Sequence, residues 1–216
     1  DAVGADVLDR RRARLARDQR EILETLQALL ERPVDERVPF AAGIDVHDGV
    51  ITRIGPAGDG ATAARDAEVS DVSGRLVLPG RVEAHCHLDK TLYGGCWVTH
   101  SAGDALGERI ANERLRRGEL GLPNVHHITS LLERMVAAGT THVRSHTDID
   151  PVVGLAGVEA VRDATERLAG RITVELVAFP QSGVLTDPRT AALLDEALAS
   201  GVETIGGIDP AGVDRD

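Results

Sequence analysis

The sequence predicts an α/β fold built on a parallel sheet, about the first four strands of a TIM-type (β/α)8 barrel, and three observations lead there. Gly139, Gly170 and Gly201 recur at 31-residue intervals, each after a helical run and before an apolar, β-branched one. Glycine just past a helix end is the usual left-handed cap, and helix-glycine-strand units of this length build parallel sheets through right-handed crossovers. Polar residues collect where the apolar strands stop: His85 and His87, His146 and Asp148, Gln181, and Asp209. A β/α barrel gathers its chemistry at the C-terminal ends of its strands. An open doubly wound sheet does so too, but it announces itself with a glycine-rich phosphate loop after the first strand, and none is present.

Taken in order, residues 7–32 carry Leu8, Leu15, Ile22, Leu26 and Leu29 among alternating charges, the pattern of an amphipathic helix with one narrow apolar seam, and Pro33 ends it. That seam packs on its own domain or docks a partner. From Gly43 to His47 and from Val50 to Gly55 run two short strands, joined by Asp48-Gly49, a strong hairpin signal. His47 then sits at a solvated turn. Residues 57–68, rich in Ala, Gly and Asp, read as an exposed loop before a strand at Leu76–Leu78. Helices follow over Ile128–Ala138, Val158–Leu168 and Ala191–Ser200, and strands over Thr141–Arg144, Ile172–Phe179 and Glu203–Ile208. With the strand bearing His85 these make four. A whole barrel takes ~250 residues, so the chain is expected to stop half way round, with two unpaired sheet edges that expose it to self-association as a homo-oligomer.

Composition bounds the function. A length of 216 residues with 42% hydrophobic content allows one sizeable core plus an accessory unit, and a formal net charge of −11 argues against nucleic acid or an anionic membrane as the main partner. No apolar stretch approaches the ~20 residues that span a bilayer, and the first residues lack a signal-peptide pattern, so the expected location is the cytoplasm. Cys86 and Cys96 make no disulfide framework.

His85-Cys86-His87 is the densest chemical signal. On an extended strand, residues two apart point the same way, so the two imidazoles form a ready pair of metal ligands, while Cys86 faces the opposite side as a packed thiol. Neutral imidazole suits zinc or divalent iron, and a divalent ion with an open position makes a nucleophile of water near neutral pH. Two strand-end histidines satisfied by ordinary hydrogen bonds remain the alternative. Nearby stands Lys90, the single lysine among 24 basic residues, which points to a specific role for an ammonium group.

The stretch Val77-Leu78-Pro79-Gly80-Arg81-Val82-Glu83-Ala84-His85-Cys86-His87-Leu88-Asp89-Lys90 resembles the first barrel strand of the amidohydrolase superfamily. His142-Val143-Arg144-Ser145-His146-Thr147-Asp148 and Val177-Ala178-Phe179-Pro180-Gln181-Ser182-Gly183 are similar to the second and third strand ends of its cytosine deaminase branch. The resemblance covers about residues 40–210. It implies part of a small β-sandwich over 37–79 and the N-terminal half of a metal-dependent hydrolase barrel over 80–216, while the helical extension read over 1–36 departs from the family, which usually opens directly on a β-strand. It makes His85 and His87 ligands of one divalent metal ion, zinc or iron, and Gln181 a hydrogen-bonding contact to the ring amide of a cyclic substrate, aimed by Pro180. Gln181 as a strand-end amide capping local backbone is the structural alternative. Asp89 could orient a ligand imidazole and Lys90 could pair with carboxylates. His146 and Asp148 are pocket residues or a buried structural pair. Glu203–Pro210 holds no lysine to bridge two metals, which suits the single-metal type, with Asp209 the one candidate against it. His100, His126, His127 and His142 read as surface or helix-start residues, and Trp97 as a packed loop aromatic or a pocket-mouth residue.

The implied activity is hydrolysis of a carbon-nitrogen, non-peptide bond in a small nitrogen heterocycle such as a pyrimidine, by a deaminase or amidohydrolase. No residue of this chain is assigned as the catalytic acid, and the chain alone is expected to turn over little substrate. Two rivals stand beside it: a His-x-His phosphoesterase barrel, with Arg144 and Lys90 as its only nearby phosphate clamp, and a non-catalytic binding or scaffold protein that docks through the helix of residues 7–32.

Overall fold

A computed structural model describes residues 42–56, 68–72, 74–99 and 101–207. The helix expected over residues 7–32, His100 and Asp209 lie outside the described residues. The chain divides into two compact units, Asp1–Leu76 and Val77–Asp216.

In the first unit, β1 (Ala42–His47) pairs antiparallel with β2 (Val50–Pro56). Asp48 and Gly49 between them have φ of 51° and 76°. This double left-handed turn matches the right-handed twist of the flanking strands and favours Asp-Gly, as the sequence indicated. His47 is exposed beside it.

The second unit is a four-stranded parallel sheet in the order β3 (Arg81–Cys86), β4 (Thr140–Asp148), β5 (Thr173–Phe179), β6 (Thr204–Ile205). Between the strands run α1 (Leu106–Arg116), α2 (Val125–Ala137), α3 (Ala156–Arg167) and α4 (Arg189–Ala199). Gly139, Gly170 and Gly201, with φ of 88°, 75° and 92°, take the left-handed conformation that the 31-residue spacing implied, turning each chain from helix into strand. Sequential neighbours joined by helices give the partial β/α barrel order.

Alternation along β4 divides the sheet into two faces. Val143, Ser145 and Thr147 are fully buried and turn toward the helices, where Leu88, Ile128, Leu132, Val158, Val161, Ala164, Leu176, Ala178, Leu194 and Ala197 complete the core. Gly157 lets α3 approach β4: a Cβ there would lie 2.8 Å from Thr147 Cγ2 and 3.3 Å from Asp89 Cβ. His142, Arg144, His146 and Asp148 alternate to the other face, as do Thr173, Glu175, Val177 and Phe179 of β5.

Three expectations need correction. Leu76–Leu78 is not a strand, and its side chains are exposed; Pro79 lacks the N–H that a ladder needs, and pairing starts at Arg81, whose N donates to Gly139 O at 2.8 Å. Of the strand expected over Glu203–Ile208, the described residues pair at Thr204 and Ile205, opposite Val177 and Ala178, and Ile208 lies outside the described residues. Helix α1 went unforeseen because Glu and Arg dominate it and it buries no residue, so no apolar run marks it.

Candidate active site

The C-terminal ends of β3, β4 and β5 bring the strand-end residues together. His85 and His87 lie on the same side of β3, ring centroids 5.6 Å apart. His146 joins them from β4, stacked on His85 at 4.0 Å and 5.8 Å from His87, and the Phe179 ring closes the group at 5.5 Å from His87. His146 and Asp148 therefore do not pair with each other; the strand end sends one to the imidazoles and the other to a set of charges.

Burial, then the positive charge of Lys90, lowers the pKa of His87 to about 4, and His146 is likewise lowered by burial and by His85. Burial disfavours the charged form of both rings. His87 Nδ1 and His146 Nδ1 are buried without a hydrogen-bond partner in the structure, so each leaves a nitrogen uncommitted. A neutral imidazole with a free lone pair is the form that binds a divalent cation. Among the described residues no group of three or more His, Cys, Asp or Glu side chains is arranged to hold a metal ion. The uncommitted nitrogens belong to His87 and His146, and the imidazoles of His85 and His87 could serve a metal ion only with further ligands.

Cys86 turns away, as alternation requires. Its Sγ lies 3.8 Å from Arg144 O, and burial, with the charges of Glu83 and Asp89, pushes the thiol up to about 12. It is a packed thiol at neutral pH.

Beyond the imidazoles, the short 3-10 helix Leu88–Lys90 carries two charged residues inward. Asp89, 5% exposed, accepts from Asp148 N at 3.0 Å through Oδ2, rather than from His85 or His87. Burial and the neighbouring Asp148 push its carboxyl up to about 7. Lys90 Nζ donates to Gln181 Oε1 and stands 2.9 Å from Asp148 Oδ1 and 3.4 Å from Glu113 Oε1. Arg117 Nη2 adds contacts to Asp148 Oδ2 at 2.7 Å and Glu113 Oε1 at 3.0 Å, and its Nη1 lies 3.6 Å from Asp150 Oδ2. Gln181 Nε2 donates to Glu113 Oε2 at 3.4 Å. The lone lysine does pair with carboxylates, and Gln181 is held by side chains rather than spent on capping backbone.

Glu113 and Arg117 were not singled out in the sequence. They come from α1 and the residue just past its end, and their i,i+4 spacing with opposite charge was the available signal. His142 lies on β4 rather than at a helix start, with its side chain 38% exposed and Nδ1 2.7 Å from Thr173 Oγ1. Arg144 donates twice to Glu175 Oε2, at 3.1 and 3.0 Å. His126 and His127 do start a helix, their backbone N–H groups capped by Asn124 Oδ1 at 2.9 and 3.2 Å. Trp97 is 90% exposed, so it is not a packed loop aromatic.

No family model matches the sequence. It is 36% identical over 146 residues to YahJ of Escherichia coli, described as an uncharacterized protein, a match covering 67% of this chain and 32% of that protein. It is 32% identical over 154 residues to N-isopropylammelide isopropyl amidohydrolase of a Pseudomonas species, covering 65% of this chain and 36% of the other. Among solved structures, N-isopropylammelide isopropylaminohydrolase from Burkholderia multivorans superposes with a TM-score of 0.72 at 40% identity, covering 80% of this chain and 43% of that one. 5-methylcytosine deaminase from Klebsiella pneumoniae, liganded with 5-fluorocytosine, superposes with a TM-score of 0.58 at 27% identity, covering 83% and 42%. The chain thus spans about a third of the length of these curated relatives.

Proposed function

The chain belongs to the amidohydrolase superfamily, and from that premise we propose that it forms part of a metal-dependent hydrolase of a carbon-nitrogen, non-peptide bond. The substrate class is a small nitrogen heterocycle such as a pyrimidine, carrying the amidine or amide carbon that water attacks. His85 and His87 would hold one divalent zinc or iron ion together with donors beyond the described residues. Such an ion supplies Lewis acidity that makes a nucleophile of water near neutral pH. Gln181 hydrogen-bonds the ring, Phe179 gives it an apolar wall, and the amine leaves with a proton from an acid not assigned in this chain. The enzyme works in the cytoplasm, with neither nucleic acid nor membrane as a partner.

The observation that supports this reading is that two imidazoles, with a buried uncommitted nitrogen on His87, and a charge-held glutamine all stand at or just past the C-terminal ends of parallel strands. The phosphoesterase alternative finds its two nearest cations occupied: Arg144 by Glu175, and Lys90 by two carboxylates and Gln181. Metal analysis tests the proposal. The full-length protein containing this chain should carry about one equivalent of zinc or iron, as expected for a catalytic single-metal site. Changing both His85→Ala and His87→Ala should remove the metal together with amine release from aminopyrimidines. Retention of the metal in that double variant would rule out these ligands.

A further inference from the structure

We propose that Lys90 and Glu113 are positioning residues that lock the side-chain amide of Gln181 in one orientation, so that Gln181 meets its ligand as a hydrogen-bond donor and selects rings with an acceptor there. This rests on the reading of Gln181 as the ring contact.

Lys90, whose side chain is 14% exposed, donates to Gln181 Oε1 and is ion-paired with Asp148 Oδ1 at 2.9 Å and Glu113 Oε1 at 3.4 Å. On its other side the Gln181 amide nitrogen faces Glu113 Oε2 at 3.4 Å. The amide is therefore bracketed, its oxygen against a cation and its nitrogen against an anion. Rotating it by a half turn would set NH2 against the ammonium and the carbonyl against the carboxylate, two repulsive contacts at once. Arg117 and Asp148 hold the bracket itself, through contacts at 3.0 Å to Glu113 and 2.7 Å between themselves. With Oε1 engaged by Lys90 and one Nε2 hydrogen engaged by Glu113, the second Nε2 hydrogen is the one left for a ligand. Its complement is a ring carbonyl oxygen. The sole lysine of the chain stands at the centre of this arrangement.

The test uses the metal-loaded full-length protein and two probes of matched shape, 2-hydroxypyrimidine, which presents a carbonyl oxygen, and 2-aminopyrimidine, which presents a donor in its place. The parent protein should bind the first about tenfold or more tightly than the second by calorimetry, since a mismatched donor leaves both partners unpaired. Lys90→Met and, independently, Glu113→Gln should bring the two affinities within about threefold, with substrate KM rising more than kcat falls, while Lys90→Arg restores part of the preference. Glu113 is partly exposed, so its variant keeps the test open if Lys90→Met fails to fold. Selectivity unchanged in the folded variants, or a parent preference for 2-aminopyrimidine, overturns the lock while leaving the hydrolase reading intact. Binding of neither probe by the parent overturns both.

Discussion

Replacing Arg117 with methionine keeps the length of the side chain and removes the charge that joins α1 to the end of β4. Arg117 is 7% exposed and Asp148 1% exposed, and their 2.7 Å contact has a gross attraction on the order of 6 kcal/mol at an effective dielectric of about 20. Desolvation of both ions offsets most of that, yet removing one partner strands the other, which typically costs about 3–5 kcal/mol. Lys90 remains 2.9 Å from Asp148 and shares the burden, so the expected loss at pH 7 is about 2–4 kcal/mol. Its pH dependence is fixed in sign. Burial raises the Asp148 carboxyl above its ordinary range, while Lys90 and Arg117 oppose the rise. A raised folded-state pKa contributes stability that is present at low pH and lost as pH climbs through it. Without Arg117 that pKa rises further, so the deficit is largest at neutral pH and shrinks toward about pH 4, where the unfolded carboxyl also protonates. Urea unfolding at pH 7 and pH 5 reads both quantities. A loss under about 1 kcal/mol at pH 7, or one that grows on acidification, would refute the buried-pair account.

Two further outcomes are expected. Asn124→Ala should destabilise the fold by about 1 kcal/mol in the same urea assay, because Asn124 caps two N–H groups at the start of α2, and Asn124→Asp should keep most of the stability; equal stability of the parent and Ala proteins would deny the cap. An aromatic disulfide reagent at pH 8 should label exposed Cys96 at least about a hundredfold faster than Cys86, whose thiol is pushed up to about 12. Equal rates in the native protein would contradict the packing assigned to Cys86.

Local signals were legible wherever one residue type satisfies a backbone demand. Asp48-Gly49 marked the hairpin and Gly139, Gly170 and Gly201 the helix ends, because left-handed φ is costly for most other residues. His-x-His spacing was legible for a related reason: a strand repeats every two residues, so His85 and His87 share a side wherever the strand lies. Apolarity misled at Leu76–Leu78, since hydrophobic character alone does not make a ladder next to proline. Charge concealed α1, which is rich in Glu and Arg and buries no residue.

The sequence by itself determined the order of the four parallel strands and of helices α2 to α4, the glycine caps, the paired imidazoles and the family resemblance, all consequences of periodicities and motifs written over a few consecutive residues. Only the tertiary structure decided that Lys90, Glu113, Arg117, Asp148 and Gln181 form one network and that His146 stacks on His85. Those partners are separated by as many as 91 residues, and whether such charges meet depends on strand register and helix approach, which are set when Gly157 seats α3 on β4 and the core closes behind the sheet.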